Sequence, residues 1–213
     1  MLIASYNPQY IGDVLLTMIN PDVLEQETEK KGQAVRIFAK KDGHTLGYNF
    51  LAVSEILTDL EGNGPLVLNA EQVAKLNAYL TEVGFTAELE VDETPKFVVG
   101  YVEEMTEHPD SDHLHITKTR VDNDQVLQIV CGAPNVAAGQ KVVVAKVGAM
   151  MPTGAMIWPG KLRGVESPGM ICSAREIELP NAPQVRGILV LPEDDSRFEV
   201  GTGFDFAAGA TLF

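Results

Sequence analysis

The tightest constraint on this chain's fold lies between residues 97 and 191, where β-prone runs are short and Pro, Asp, Asn or Gly repeatedly breaks them. FVVGYVEEM, HLHITKTRV, QVLQIVC and KVVVAKV succeed one another in this way, and ILVL, bounded by Gly187 and Pro192, adds a final short strand. NVAAGQ reads as a compact turn between the third and fourth runs. GAMMPTGAMIWPGKLRGVESPGMICSA is denser in Gly and Pro than a simple meander needs. The spacing is that of a small barrel or sandwich.

Residues 1–90 are expected to form a small α+β domain. LIASYN and DVLLTMI read as two strands with Asn7-Pro8 as the turn signal between them. VLEQETEKKGQ has no apolar periodicity and ends in Gly32, the pattern of an exposed loop or a frayed helical turn. VRIFAKKDGHTLGYNF is a hairpin signal, two β-prone runs around Asp42-Gly43. Asn69 is placed to cap AEQVAKLNAYLTEVGF, where Val73, Leu76, Leu80 and Val83 recur at helical spacing before Gly84. His44 and the scattered acidic residues mark no site. TAELEVDETPK turns acidic and polar up to Pro95, so a second domain is expected over residues 95–206. Its strand count and the NVAAGQ turn fit a five-stranded Greek-key β-barrel, the all-β OB-fold.

A dedicated nucleic-acid binder is expected to be basic. This chain carries 16 Lys and Arg against 30 Asp and Glu, a net charge of -14. Residues 1–94 hold 6 basic and 15 acidic residues, and the remainder 10 and 15, so the deficit is larger in the first part. A basic face in the second part is therefore local, and long-range attraction is weak. Cys131 and Cys172 sit in the apolar contexts IVCGA and MICSA and read as buried small hydrophobes. The opening MLIASYNPQYIGDV has no basic region leading into an apolar stretch, and no hydrophobic run reaches membrane length, so a cytoplasmic location is expected. There is no Ser-His-Asp ordering, phosphate-cradling glycine loop or marked carboxylate pair; neither enzyme activity nor a cofactor or metal is expected.

Three segments carry a resemblance in both order and spacing. FVVGYVEEMTEHPDSDHLHITKTRV, then QIVCGAPNVAAGQKVVVAKVGAMMP, then GKLRGVESPGMICSAREIEL together resemble the tRNA-binding domain appended to several synthetase systems, most closely the N-terminal insert of the bacterial phenylalanyl-tRNA synthetase β subunit. The remaining ninety-odd residues are too few for an aminoacylation domain. With its small N-terminal domain the chain resembles the stand-alone bacterial proteins of the YtpR type. That resemblance implies a free-standing adaptor that binds tRNA or structured RNA, with a synthetase or another translation protein as a further partner. Free-standing modules of this type are often homodimers, which would raise avidity. The net charge keeps open an alternative, a protein-interaction or dimerisation module.

Within that resemblance GKLRGVESPGM ranks first, since in the family it lines the tRNA-contacting side. In an extended conformation Lys161 and Arg163 project to one side while Leu162 points into the barrel. Ser167 offers a donor for a phosphate or ribose oxygen, and Met170 a soft surface for a base or sugar. Gly164 and Gly169 permit close backbone approach, but they equally suit a barrel corner, and Ser167 a turn cap. Lys118 and Arg120 alternate with threonine in ITKTR, and with Lys141 and Lys146 they are candidates to converge on one face. HPDSDHLH offers His108, Asp110, Asp112, His113 and His115 as metal ligands. The family has a His-Pro-Asp turn at this place, so a turn is the reading adopted. His113 stands where the family commonly has Lys. Trp158 reads as packing, with rim stacking as the alternative.

Overall fold

Strand propensity and backbone pairing build most of the first unit, Met1–Thr94, of a computed structural model that describes residues 1–213. Its strands are β1 (Ile3–Tyr6), β2 (Val14–Met18), β3 (Gln26–Lys31), β4 (Ala34–Ala39), β5 (Thr45–Leu51) and β6 (Gly64–Leu66). They form one antiparallel sheet in the order β3-β4-β5-β2-β1-β6. A helical turn, α1 (Pro8–Ile11), follows Asn7, with the proline at its start where a missing N–H costs nothing. The β4–β5 hairpin forms around Asp42-Gly43, but only Gly43 takes a positive φ (75°), because the loop is closed by its N–H donating to the Ala39 carbonyl at 2.8 Å. Helix α2 (Ala70–Glu82) starts at a capping box: Gln72 N–H donates to Asn69 Oδ1 at 2.9 Å and Asn69 N–H to Gln72 Oε1 at 3.1 Å. Val73, Leu76 and Leu80 are buried in a core with Leu15, Tyr48 and Phe50.

The charged segment before Gly32 is neither a loop nor a helical turn. It is β3, paired residue by residue with β4 from Gln26↔Ala39 to Lys31↔Ala34. The sequence hid it because almost the whole strand is solvent-exposed, so its backbone ladder with β4 holds it and no apolar alternation is needed. Lys40 N–H donates to the Glu25 carbonyl at 2.9 Å, which sets the phase of the ladder: Gln26, Thr28 and Lys30 present their N–H and C=O groups to the free edge. An antiparallel second copy must oppose those residues to one another, and every such register sets Glu against Glu or Lys against Lys. Like charges directly opposite are destabilising, so the edge is guarded against self-pairing.

The second unit, Pro95–Phe213, contains β7 (Phe97–Glu107), β8 (His115–Arg120), β9 (Val126–Cys131), β10 (Lys141–Lys146), β11 (Lys161–Leu162), β12 (Val165–Glu166), β13 (Gly169–Ile171), β14 (Val190–Leu191) and a C-terminal turn of helix, α3 (Phe206–Gly209). The long strand β7 serves two neighbours: residues 97–101 pair with β10 and residues 101–107 with β8, with a register shift between Val102 and Glu104. A bulge there bends the strand and lets the sheet curl. The order is β13-β10-β7-β8-β9, antiparallel throughout, and β13 comes round to pack beside β9, giving a nearly closed antiparallel barrel. A Cβ on Gly100 would lie 2.7 Å from Val144 Cγ2, so a larger residue there would force the packed side chains to shift.

Both faces of β7 and β10 are apolar, which explains the unalternated runs VV and VVVA. Val98, Val102, Val142, Val144, Ile129 and Ile171 fill the barrel. Val99, Val143 and Ala145 point outward and are covered by Ile177, Leu179, Leu189, Phe198 and Phe204 from the chain after β13. This outer layer, formed by a segment in which the sequence offers little beyond ILVL, carries Arg175 and Arg186. Cys172 is fully buried and desolvation pushes its thiol up to about 12.

Two outcomes are expected. Glu27→Val with Glu29→Val removes the opposed charges, and sedimentation velocity should show concentration-dependent association exceeding that of the parent chain. Cys172 should stay unmodified by a thiol reagent at pH 8 in the native protein and react once the protein is unfolded in urea.

Candidate nucleic-acid interface

The seam between β9 and β13 is closed by side chains. Val130 N–H donates to Ser167 Oγ at 3.1 Å, and that hydroxyl donates onward to the Gly169 carbonyl at 3.2 Å. Gln128 Nε2 donates to the Glu166 carbonyl at 2.8 Å. Ser167 is thus occupied by the backbone, in the turn-capping role that its sequence context also allowed.

Upstream of Ser167, β11 and β12 form a two-residue hairpin, Leu162↔Val165, whose turn is Arg163 (φ 47°) and Gly164 (φ 83°). This corrects the extended alternation expected for residues 161–163. Leu162 is 44% exposed and does not enter the barrel, because the chain reverses at Arg163. A non-glycine residue in the left-handed region costs about 1–2 kcal/mol. Here it is held by Arg163 Nη1 donating to the Asp110 carbonyl at 3.0 Å.

The 108–114 loop is the other half of that clamp. His108 is 3% exposed, accepts the Asp110 N–H on Nδ1 at 3.0 Å and places Nε2 3.2 Å from the Leu162 carbonyl. Those contacts require the Nε2–H tautomer and use both ring nitrogens, leaving none for a metal. Ser111 Oγ accepts from Leu114 N–H at 3.3 Å, so the segment is a turn. His113 is exposed and its ring contacts Asp112 Oδ1 at 2.8 Å, a hydrogen bond that holds the Asp112 carboxyl below its usual range. His115 opens β8 opposite Cys131, with a buried Nδ1 that has no partner.

The strand cations do not converge as one cluster. Lys118 and Arg120 share the outward face of β8, and the register aligns Arg120, Tyr101 and Lys141 across three strands. The Arg120 guanidinium lies 5.8 Å from the Tyr101 ring. Lys146, an odd number of residues from Lys141, lies on the opposite face of β10 and pairs at 2.7 Å with Asp122, the two side chains being 14% and 10% exposed. The others are also engaged: Lys118 with Glu104 at 2.6 Å, Arg120 with Glu103 at 2.8 Å, Lys161 with Glu166 at 3.4 Å, and Lys141 with the Glu193 carbonyl at 2.6 Å. Apart from Lys146–Asp122 these are exposed pairs, worth about 0–1 kcal/mol each, which a phosphate can displace.

Two arginines that carry no signal as nucleic-acid contacts in the sequence lie in a cleft of about 360 Å³ beside the seam, lined by Val130, Met170, Ser173, Arg175, Glu176 and Arg186 among others. Arg186 Nη2 donates to the Gly132 carbonyl at 2.9 Å, whereas the Arg175 guanidinium makes no hydrogen bond or ion pair and the residue is exposed. Asn135 fixes the wall by donating to the Ile188 carbonyl at 3.0 Å and accepting the Ile188 N–H at 2.8 Å. Arg175 lies within SAREIEL, at the end of the third of the resembling segments. Arg186 lies in a stretch with Pro180, Asn181 and Pro183 and without a local signal. Met170 lines this cleft, and Trp158 is half-buried on the loop before the hairpin.

Comparison with known proteins bears on the chain as a whole. Residues 97–200 match the family model "Putative tRNA binding domain", and residues 21–92 match a domain of unknown function, DUF4479. The Bacillus subtilis protein "Putative tRNA-binding protein YtpR" is 48% identical over 204 residues, covering 95% of this chain and 99% of that relative. The chain belongs to the YtpR family. It is also 45% identical over 145 residues to the phenylalanine–tRNA ligase β subunit of Oceanobacillus iheyensis, and 53% identical over 103 residues to that of Oleidesulfovibrio alaskensis, covering 18% and 12% of those subunits. Family membership thus spans both units, while the ligase likeness is to a small part of much longer chains. The relative matched end to end has a binding name, not a catalytic one. No helix is long and apolar enough to cross a membrane.

Ser167→Ala would strand the Val130 N–H at the seam. An unsatisfied buried donor costs about 1–3 kcal/mol, so the urea midpoint, followed by Trp158 fluorescence, should fall accordingly.

Proposed function

We propose that this protein binds tRNA through an OB-fold barrel and has no catalytic activity of its own. The ring order β7-β8-β9-β13-β10 supports the OB assignment, since the fourth strand returns beside the first and the fifth closes against the third. In such barrels the strand 2–3 face and the loops after strands 1 and 4 meet nucleic acid. Here those loops are the 108–114 turn and the hairpin carrying Lys161 and Arg163. The observation that carries the reading is their mutual clamp, Arg163 to the Asp110 carbonyl and His108 to the Leu162 carbonyl, which preorganises a cationic rim. Lys118, Arg120 and Lys141 extend it on the outer strand face, and Met170 lies in the adjoining cleft. Ser167 acts as a positioning residue that seats the hairpin. The net charge of -14 makes this a contact-range interaction, and the cytoplasm is its setting.

Gel-shift titration against tRNA at low salt tests the proposal. Lys161→Ala with Arg163→Ala should weaken binding and make the slope of log K against log salt less negative by about 1 for each phosphate no longer neutralised. Wild-type affinity no better than that of an acidic control protein overturns it.

The internal pairing of nearly every cation favours a second reading, a module that docks on a synthetase, another translation protein or a second copy of itself. Capture from cytosol that survives nuclease treatment supports that reading.

A further inference from the structure

The cleft beside the seam continues into a second lobe. This lobe, again about 360 Å³, is lined by Asn135, Pro183, Val185, Leu189, Val190 and Phe213, and it shares Ser173, Arg175, Arg186, Gly187 and Ile188 with the first. The two arginines therefore stand where the lobes meet. On one side lie Val130, Met170 and Ile171; on the other lie the exposed Val185 and the half-exposed ring of Phe213. Each lobe sits at the small end of the roughly 300–1,000 Å³ typical of small-ligand sites, room for one flat ring and its sugar.

We propose that this two-lobed cleft seats consecutive unpaired nucleotides of an RNA strand, with the linking phosphodiester held at the shared arginine rim. The inference rests on the RNA-binding reading above and names the part of the RNA that enters this site. Guanidinium groups match a phosphate's paired oxygens, and Arg175 is uncommitted. Sulfur and aliphatic surface accept any base, because every base has an apolar face. Glu176 shapes the selectivity. One of its oxygens is fixed by the Ser173 N–H at 2.8 Å and the Ser173 hydroxyl at 2.7 Å, while the other is exposed to solvent and open to accept from a ribose hydroxyl or a base amine. A nucleotide carries such donors and a bare anion does not. Bases stacked and paired in a duplex cannot enter lobes of this size, so the site selects splayed, single-stranded segments.

Neither arginine belongs to a barrel strand. Arg175 follows β13, and Arg186 is carried by the segment that returns to β14. Both are held in place because that segment packs on the outer face of β7 and β10. The site is thus a product of the outer layer, distinct from the clamp of the 108–114 turn with the hairpin.

Fluorescence anisotropy with a labelled single-stranded hexaribonucleotide, the same sequence in a blunt RNA duplex, and full-length tRNA separates the cases. Arg175→Ala with Arg186→Ala should weaken single-strand binding tenfold or more, and the wild type should bind the duplex more weakly than the single strand. Arg175→Glu, at a side chain with no structural partner, should do the same with the urea midpoint unchanged, and Arg175→Lys should restore part of the affinity. Equal affinity for duplex and single strand, or unchanged single-strand binding by the arginine variants, overturns the inference. If tRNA binding is lost in the Lys161→Ala, Arg163→Ala protein but kept in the arginine-cleft variants, the cleft inference fails while tRNA binding stands. If the wild type binds no tRNA, the function itself fails. Loss of a captured protein partner in the cleft variants, with RNA binding intact, also overturns the inference and assigns the cleft to protein.

Discussion

Two side chains, Ser167 and Gln128, close the barrel. Between β9 and β13 no run of backbone pairs completes the ladder, and Ser167 takes its place by accepting from Val130 N–H and donating to the Gly169 carbonyl. A backbone donor left unpaired at that depth is costly, so the hairpin carrying Lys161 and Arg163 is fixed to the wall by the same contact that seals the seam. The cleft with Arg175 and Arg186 opens where this closure ends. Barrel integrity and the placement of the hairpin cations therefore rest on a short stretch of chain.

Electrostatics decides how such a face can work in so acidic a molecule. Screening limits surface charges to contacts within about 8–10 Å, so the net charge of the whole chain counts for little beside near neighbours. Those near neighbours matter more: Glu103, Glu104 and Glu166 each hold a cation of the second unit. Exposed pairs of this kind contribute little and exchange readily for a phosphate. Arg175 needs no such exchange. The contrast orders the cations by availability, an order that composition alone does not give.

Legibility in the sequence follows the range of the interactions. The β4–β5 hairpin and α2 are readable because a turn dipeptide, an N-cap and an apolar stripe all act within a few residues. β3 is not, because a strand exposed along nearly its whole length carries no alternation, and its existence depends on β4 as partner. Lys118 and Arg120 fall on one strand face as expected, since parity along a strand is a local property. Arg163 does not keep its expected place, because a chain reversal at Arg163-Gly164 overrides alternation that an extended strand would keep.

The sequence by itself determined the β-rich second half, the run of strands from Phe97 to Lys146, the capped helix and the family. Only the tertiary structure decided which charged groups are free, which are tied to backbone carbonyls, and where the cleft lies. The reason is physical: strand propensity and turn chemistry are written in neighbouring residues, whereas Asp110 with Arg163, Val130 with Ser167 and Gly132 with Arg186 are separated by about forty to fifty residues of chain and meet only when the barrel closes and the outer layer packs against it.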